Sequence, residues 1–391
     1  MKDYIPINHS LLKWARETAG LTVDDVAKKL NKSVDFVLSI ESGSNIITYS
    51  LLKKLSYELY KRPIALFFCE FPPIEDPVEK DFRSIYREDD ILLDRDTRLK
   101  IREAKYHQLS LFELNPEPDP QDKTFSDFLQ EISQSKNIVK AVRSKLGISI
   151  EEQKKIPTIS AAFKIWRSAF EDNGIYVFKG AFKNPNYCGF ALYDEIYPII
   201  YVNNRNSITR QTFTLFHELF HLLHKSSSIF CLDESLCYDL NPSQEDVERK
   251  CNKFASSVLV PVEDFNKELS IREAQTQNNL ERVIEDLAEL YSVSRETILR
   301  NIKDRGIIDA DTYNSFVTNW LKQSLRPKKS SSGGNAIATK ISYLSNKYLS
   351  IVSERYARGQ ITSDQLTQYI TTKRFDTAEK IYEHYIMGQK R

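Results

Sequence analysis

Three of the six histidines in this chain of 391 residues lie within one short stretch: His217, His221 and His224. The segment His217-Glu218-Leu219-Phe220-His221 reads H-E-x-x-H. With six His and 29 Glu in the chain, chance supplies roughly 0.007 such matches. On a helix, residues i and i+4 share a face about 5–6 Å apart. Two imidazoles so placed can both reach one Zn²⁺ at about 2.0–2.1 Å. Glu218, one step on, points beside the metal, where it can take a proton from a coordinated water and pass it to a leaving amine. Zinc lowers the pKa of such a water from about 15.7 to about 7, which makes peptide hydrolysis feasible at neutral pH.

A catalytic zinc site takes three protein ligands and keeps one position open. The downstream carboxylates are Asp233, Glu234, Glu245, Asp246 and Glu248. Glu248 is the best candidate, because it sits on an expected helix long enough to pack against the histidine helix. Asn252 lies one turn further on the same face and could orient that carboxylate or cap a neighbouring backbone group. Asp233 and Glu234 fall in a loop between two cysteines and are weaker candidates. His224, one turn past His221, is read as a rim residue or an outer support, with an oxyanion-stabilising role open to it or to a Tyr. A single histidine in an apolar helix is more often a hydrogen-bonded core residue. Two histidines and a glutamate at ligand spacing are harder to explain that way, since unpaired buried polar groups are costly.

The helix that must carry these groups, TRQTFTLFHELFHLLH, is apolar almost all round and so should be buried. Helices are expected at 125–146 and 158–173, with SQEDVERKCNKFASSVLV forming another that Pro261 stops. GIYVFKG and PIIYVN read as short strands rich in Ile, Val and Tyr. GFALY, 189–193, is expected either as an edge strand along which an extended peptide could pair, or as an ordinary core strand.

The remaining organisation is helical. Residues 1–72 read as a compact helix–turn–helix bundle, with Gly20 closing the first helix and Thr22 capping the second. Residues 73–124 read as a charged linker that becomes a helix near Asp94, with a breaker-rich connection, NPEPDPQD, at 115–122. A peptidase-like core is expected over 125–275 and a second helix–turn–helix-like piece over 276–322. A Ser/Gly-rich flexible linker is expected over 323–340, and a helical region over 341–391, broken at Gly359 and before Thr362. The expected class is α+β and mostly helical, with a small sheet in the central core. Lys+Arg number 55 against 54 Asp+Glu, so bulk charge gives no argument for nucleic-acid binding. No apolar run approaches the roughly 18 residues of a membrane span. Five cysteines with no repeated spacing read as reduced thiols, and the chain is expected to be cytoplasmic.

These pieces resemble the ImmA/IrrE family of zinc metallopeptidases. NYCGFAL and YPIIYVN resemble its two strands, RQTFTLFHELFHLLH its motif helix, and VERKCNKFASSVLVP its E-x-x-A-N-x-F-A…L-x-P segment, with Cys251 in place of the usual Ala. The resemblance covers about 155–310. It implies a small gluzincin-like core with His217, His221 and Glu248 as zinc ligands and Glu218 as the base. It also implies a protein substrate, because the family's described members cut or control repressors. LLKWARETAGLTVDDVAKKL and VLSIESG resemble a Cro/repressor-type (XRE) helix–turn–helix. The Pro-Ile-Ala-Leu-Phe-Phe close, Asp81-Phe82-Arg83 and the tail from Gly333 resemble the fused, longer members.

The reading is therefore a zinc endopeptidase acting on a regulatory protein, a repressor or antitoxin-like partner, joined to a helix–turn–helix module. The alternatives are a DNA-binding regulator whose peptidase-like core senses or docks, and a toxin or antiphage component acting by proteolysis. SVDFVLSIE has no Lys or Arg, and phosphate contact needs cations. DNA binding and protein docking by 1–72 therefore both stay open, with Lys28, Lys29 and Lys32 the candidates for phosphate contact. For residues 291–306, completing the peptidase core is a simpler role than contacting DNA.

Overall fold

The computed structural model describes residues 5–73, 93–117, 123–184, 186–231, 242–272, 279–324, 335–372 and 374–389. Asp81-Phe82-Arg83, the end of NPEPDPQD, the loop with Asp233 and Glu234, and the centre of the Ser/Gly-rich stretch lie outside these residues. The described part is mostly helical, with one four-stranded sheet. No described helix is long and apolar enough to cross a membrane. The chain divides into two compact units, Met1–Arg83 with Arg87–Glu103, and Ser84–Tyr86 with Ala104–Arg391.

The first unit begins with α1 (Ser10–Thr18), α2 (Val23–Leu30), α3 (Val34–Glu41) and α4 (Tyr49–Lys53). Gly20 takes φ +65°, a left-handed conformation open to glycine. Thr22 then caps α2 in a reciprocal box with Asp25. Leu11, Leu12, Ala15, Val26, Val37, Ile40 and Leu52 form the core. Beneath them, Arg16 Nε donates to Glu41 Oε1 at 2.7 Å and its Nη2 donates to Oε2 at 3.1 Å. A third Arg16 bond goes to the Leu21 carbonyl. This fork joins the start of the bundle to the end of α3. Asp94 opens α5 (Arg95–Leu114) by accepting from the Asp96 and Thr97 amides.

In the second unit, the single helix expected over 125–146 is instead two, α6 (Phe125–Ser133) and α7 (Ile138–Leu146). Asn137 is extended, and its Oδ1 accepts from the Lys140 amide, so the backbone starts a new helix there. α8 (Ile150–Lys154) and α9 (Ile159–Asp172) follow. The strands are β1 (Tyr176–Gly180), β2 (Tyr187–Leu192), β3 (Ile199–Asn203) and β4 (Ser228–Cys231), in the order β1-β3-β2-β4. β1 runs parallel to β3, and β2 is antiparallel to both β3 and β4. This overturns the edge reading of 189–193. β4 pairs with the side of β2 that an incoming peptide would need, so β2 is an interior strand.

α10 (Ile208–Leu223) carries the histidine motif and packs on the sheet, on α9 and on α11 (Pro242–Leu259). Gly189 sets how closely it lies. A Cβ at Gly189 would fall 2.6 Å from the Tyr201 carbonyl oxygen and 2.7 Å from Thr214 Cγ2. The remaining helices near the site are α12 (Val262–Ile271), α13 (Leu280–Tyr291) and α14 (Arg295–Asp304). Ile284, Leu287, Ile298 and Ile302 share one core with Trp166, Leu219 and Phe254, so the second helix–turn–helix-like piece completes the peptidase-like core. Its cations are engaged in the same unit. Arg295 pairs with Glu285, Arg300 and Lys303 lie on Tyr313, and Arg305 bonds Asn266. Helices Ala336–Tyr343, Asn346–Ala357, Ser363–Tyr369 and Phe375–Gln389 form the tail. The first begins inside the stretch expected as linker, because Asn335 caps it.

Lys154 on α8 clasps Asp264 at 2.5 Å and Glu268 at 2.8 Å on α12. Burial pulls both carboxyls up, but the Lys154 ammonium outweighs it and holds both below the usual carboxylate range. Groups lowered on folding stabilise above their unfolded pKa, and that stability fades as pH falls through the folded values. The stability gap between wild type and Lys154→Met should therefore be largest at neutral pH and shrink as pH falls below about 4. Urea melts across that range measure it, and a gap independent of pH counts against the clasp. Gly189→Ala should cost about 1–3 kcal/mol, because α10 or β3 must shift. A wild-type melting curve for this variant would show that the approach of α10 to the sheet is not tight.

Candidate metal centre

His217, Glu218 and His221 enter the core because α10 is buried on nearly every side, and all three are at most 1% exposed. The two imidazoles lie one turn apart, with ring centroids separated by 5.2 Å. α11 brings Glu248 against them, itself 1% exposed. Glu248 Oε2 is 3.0 Å from His217 Nε2, and Oε1 is 3.5 Å from His221 Nε2. One turn further along α11, Cys251 Sγ lies 3.3 Å from His221 Nε2. The donor atoms of His217, His221, Glu248 and Cys251 all lie within 4.8 Å of one another.

The neighbours of these groups fix their orientation. His217 Nδ1 is 3.2 Å from Asn252 Oδ1. The oxygen can only accept, so Nδ1 carries the proton and Nε2 presents its lone pair to the cluster. His217 Nε2 is buried and has no hydrogen-bond partner. A lone pair facing a carboxylate oxygen at 3.0 Å is repulsive unless a cation lies between them. The His217 ring stacks on Phe230 of β4 at 3.8 Å between centroids. Ser228, also on β4, donates its hydroxyl to Glu218 Oε2, while Glu218 Oε1 is buried with no hydrogen bond.

The electrostatics suit metal ligation. Burial lowers His217, which keeps its ring neutral. Burial opposes the charge on Glu248, and its carboxyl is held below the usual range only where a proton on the adjoining imidazoles, or a cation in its place, faces it. Neutral imidazole and ionised carboxylate are the forms that bind metals. Burial pushes Glu218 well above the usual carboxylate range, with the charge of Glu248 adding to the effect and Ser228 opposing it. A raised carboxyl is suited to exchanging protons near neutral pH. In a tetrahedral zinc site with bonds of about 2.0–2.1 Å to N or O and 2.3 Å to S, adjacent donors are about 3.3–3.6 Å apart. The observed separations of 3.0, 3.3 and 3.5 Å lie within about 0.3 Å of these values, so small side-chain shifts would admit such an ion.

The structure thus brings together His217, Glu218, His221, Glu248 and Asn252. It does not bring in His224, which is exposed and hydrogen-bonded through Nδ1 to the Phe220 carbonyl 2.8 Å away. α10 ends at Leu223, and the left-handed turn at Lys225 leads the chain away. Neither Asp246 nor Glu245 joins the cluster. Asp246 pairs with Lys250 instead. Sequence reasoning missed Ser228, Phe230 and the Cys251 sulfur as neighbours of the site. The one signal for β4 was the short run Ser228-Ile229-Phe230-Cys231 just after the motif helix.

Comparison with known families gives two matches. The Peptidase M78 model, an IrrE N-terminal-like domain, matches residues 170–303 and so spans α10, the sheet and α11. A helix-turn-helix model matches 12–56, which covers α2, α3 and α4. The chain therefore carries an XRE-type helix–turn–helix module followed by a peptidase-like module of IrrE/ImmA type. No curated protein matches it.

Proposed function

We propose that this chain is a zinc-dependent endopeptidase that cleaves a regulatory protein, a repressor or antitoxin-like partner, under the direction of its helix–turn–helix module. The observation that carries the reading is the convergence of His217, His221 and Glu248 on one buried point, with Glu218 beside it. Bound there, Zn²⁺ would polarise the scissile carbonyl and make a water acidic enough to react at neutral pH. Glu218 takes that water's proton on Oε1, the oxygen not held by Ser228, and returns it to the leaving amine. Asn252 keeps the His217 ring turned so that Nε2 faces the cluster. Phe230 covers the flat side of that ring and excludes solvent. The regulatory substrate is supported by the resemblance to the family and by the fusion to a helix–turn–helix module.

Glu218→Gln should retain one zinc per chain and lose cleavage by about 10²–10⁴-fold. His217→Ala should lose the metal. Metal analysis of both variants, with mass spectrometry of the proteome for peptides that differ between wild type and Glu218→Gln, checks both. Wild-type proteolysis by Glu218→Gln would remove the base, and stoichiometric zinc in His217→Ala would remove the ligand.

DNA is the second partner that the helix–turn–helix match supports. On α3 the exposed residues are Val34, Asp35 and Leu38, whose apolar members can meet thymine methyl groups. Lys28 and Lys32 are exposed and can meet phosphates. Affinity for DNA should fall steeply with salt, and the Lys28→Ala/Lys32→Ala pair should reduce the salt slope by about two. Anisotropy titrations at several salt concentrations measure this. Affinity insensitive to salt would leave protein docking as the role of the module.

A further inference from the structure

Cys251 lies closer to His221 Nε2 than the nearer Glu248 oxygen does, at 3.3 Å against 3.5 Å. It is fully buried and stands one helical turn after Glu248, so both donors come from the same face of α11. A second observation points to a ligand independently. The His217 lone pair is aimed into the same point, fully buried and without a hydrogen bond. We propose that Cys251 is a fourth protein ligand of the metal, so that the resting centre is a closed His₂-Glu-Cys set that must release its sulfur before a water can occupy the reactive corner. This rests on the reading of the cluster as a zinc site and adds how that site is held.

Three physical arguments carry it. The first is geometric: the Sγ to Nε2 separation of 3.3 Å is about 0.3 Å inside the roughly 3.6 Å expected between sulfur and nitrogen on a tetrahedral zinc ion, a difference that side-chain torsions can take up. The second is charge. Glu248 alone leaves a dication under-compensated in a pocket where every donor is at most 1% exposed, whereas carboxylate plus thiolate neutralise it. Coordination deprotonates the thiol, and the proton leaves to solvent as the metal enters. The third is chemical. Mixed sulfur and nitrogen donors suit zinc, and a complete set of four protein ligands is the arrangement of structural rather than open catalytic sites.

The full-length protein loaded with Co²⁺ in place of zinc tests this without any substrate. Wild type should bind one Co²⁺ per chain and show a thiolate-to-cobalt charge-transfer band in the near ultraviolet. Cys251→Ser and Cys251→Ala should still bind Co²⁺, lose that band, and surrender the metal to a chelator faster than wild type. Using both variants separates the missing sulfur from a packing defect, and the wild-type spectrum is informative even if one variant fails to fold. Stoichiometric Co²⁺ with no band in wild type, or with a band that persists in both variants, overturns the sulfur ligand and leaves the three-ligand site standing. Failure of wild type to bind Co²⁺ or Zn²⁺ overturns the metal site itself, and the proposal with it.

Discussion

The dominant constraint in the second unit is the burial of four polar groups in the middle of an apolar core. His217, Glu218, His221 and Glu248 are at most 1% exposed and are surrounded by residues such as Leu215, Phe216, Leu219 and Phe254. Each would cost several kcal/mol if left unsatisfied. The fold meets this by supplying two neighbours from each of two surrounding elements: Asn252 and Glu248 from α11, Ser228 and Phe230 from β4. These partners have to arrive within hydrogen-bond distance. That requirement explains why the approach of α10 to the sheet is set by a position, Gly189, that has no room for a side chain.

What could be read from the sequence follows from which spacings are local. His217 and His221 were legible because helix periodicity alone places them together. Glu248 was legible because it lies on a second amphipathic helix of sufficient length, and Asn252 follows one turn later. The order of the sheet was not legible. β4 has four residues, too few for a periodic signal, and its pairing with β2 depends on a return of the chain that no local pattern encodes. That is why 189–193 stayed open between an edge strand and a core strand. Cys251 was recorded only as a replacement for Ala, because one buried cysteine in a helix looks like any small hydrophobe. His224, left open as a rim residue or an outer support, is exposed. Its spacing suggested the site, but where α10 ends decides where its ring points.

In the first unit a count of charges gave a misleading surface. Glu41 is one of two acids on α3, the helix in the presumed recognition position. The structure spends that charge internally, on a bidentate bond to Arg16. Of the acids on α3, this leaves Asp35 on the exposed face. The second helix–turn–helix rhythm, over α13 and α14, resolves the other way. Its apolar positions are absorbed by the peptidase-like core, and its cations lie on Tyr313, Asn266 and Glu285 of the same unit. Two stretches with the same local pattern thus have different environments, because a pattern specifies an amphipathic pair and not what covers it.

On the proposed reading, a buried and charge-neutral centre would also bear on how such a peptidase stays selective. A peptide cannot reach atoms that are at most 1% exposed unless some covering segment moves. If opening and loss of the sulfur ligand together cost about 3 kcal/mol, the competent form is populated at roughly one part in a hundred and fifty. Only a partner that binds the open form more tightly than the closed one can reverse that ratio, and it must supply at least this much differential binding energy from surfaces remote from the scissile bond. A short peptide carrying the right cleavage sequence has little such surface, whereas a folded regulator has a great deal. On the proposed reading, specificity for one protein then follows from the closed centre itself, without a deep sequence-selective pocket at the metal.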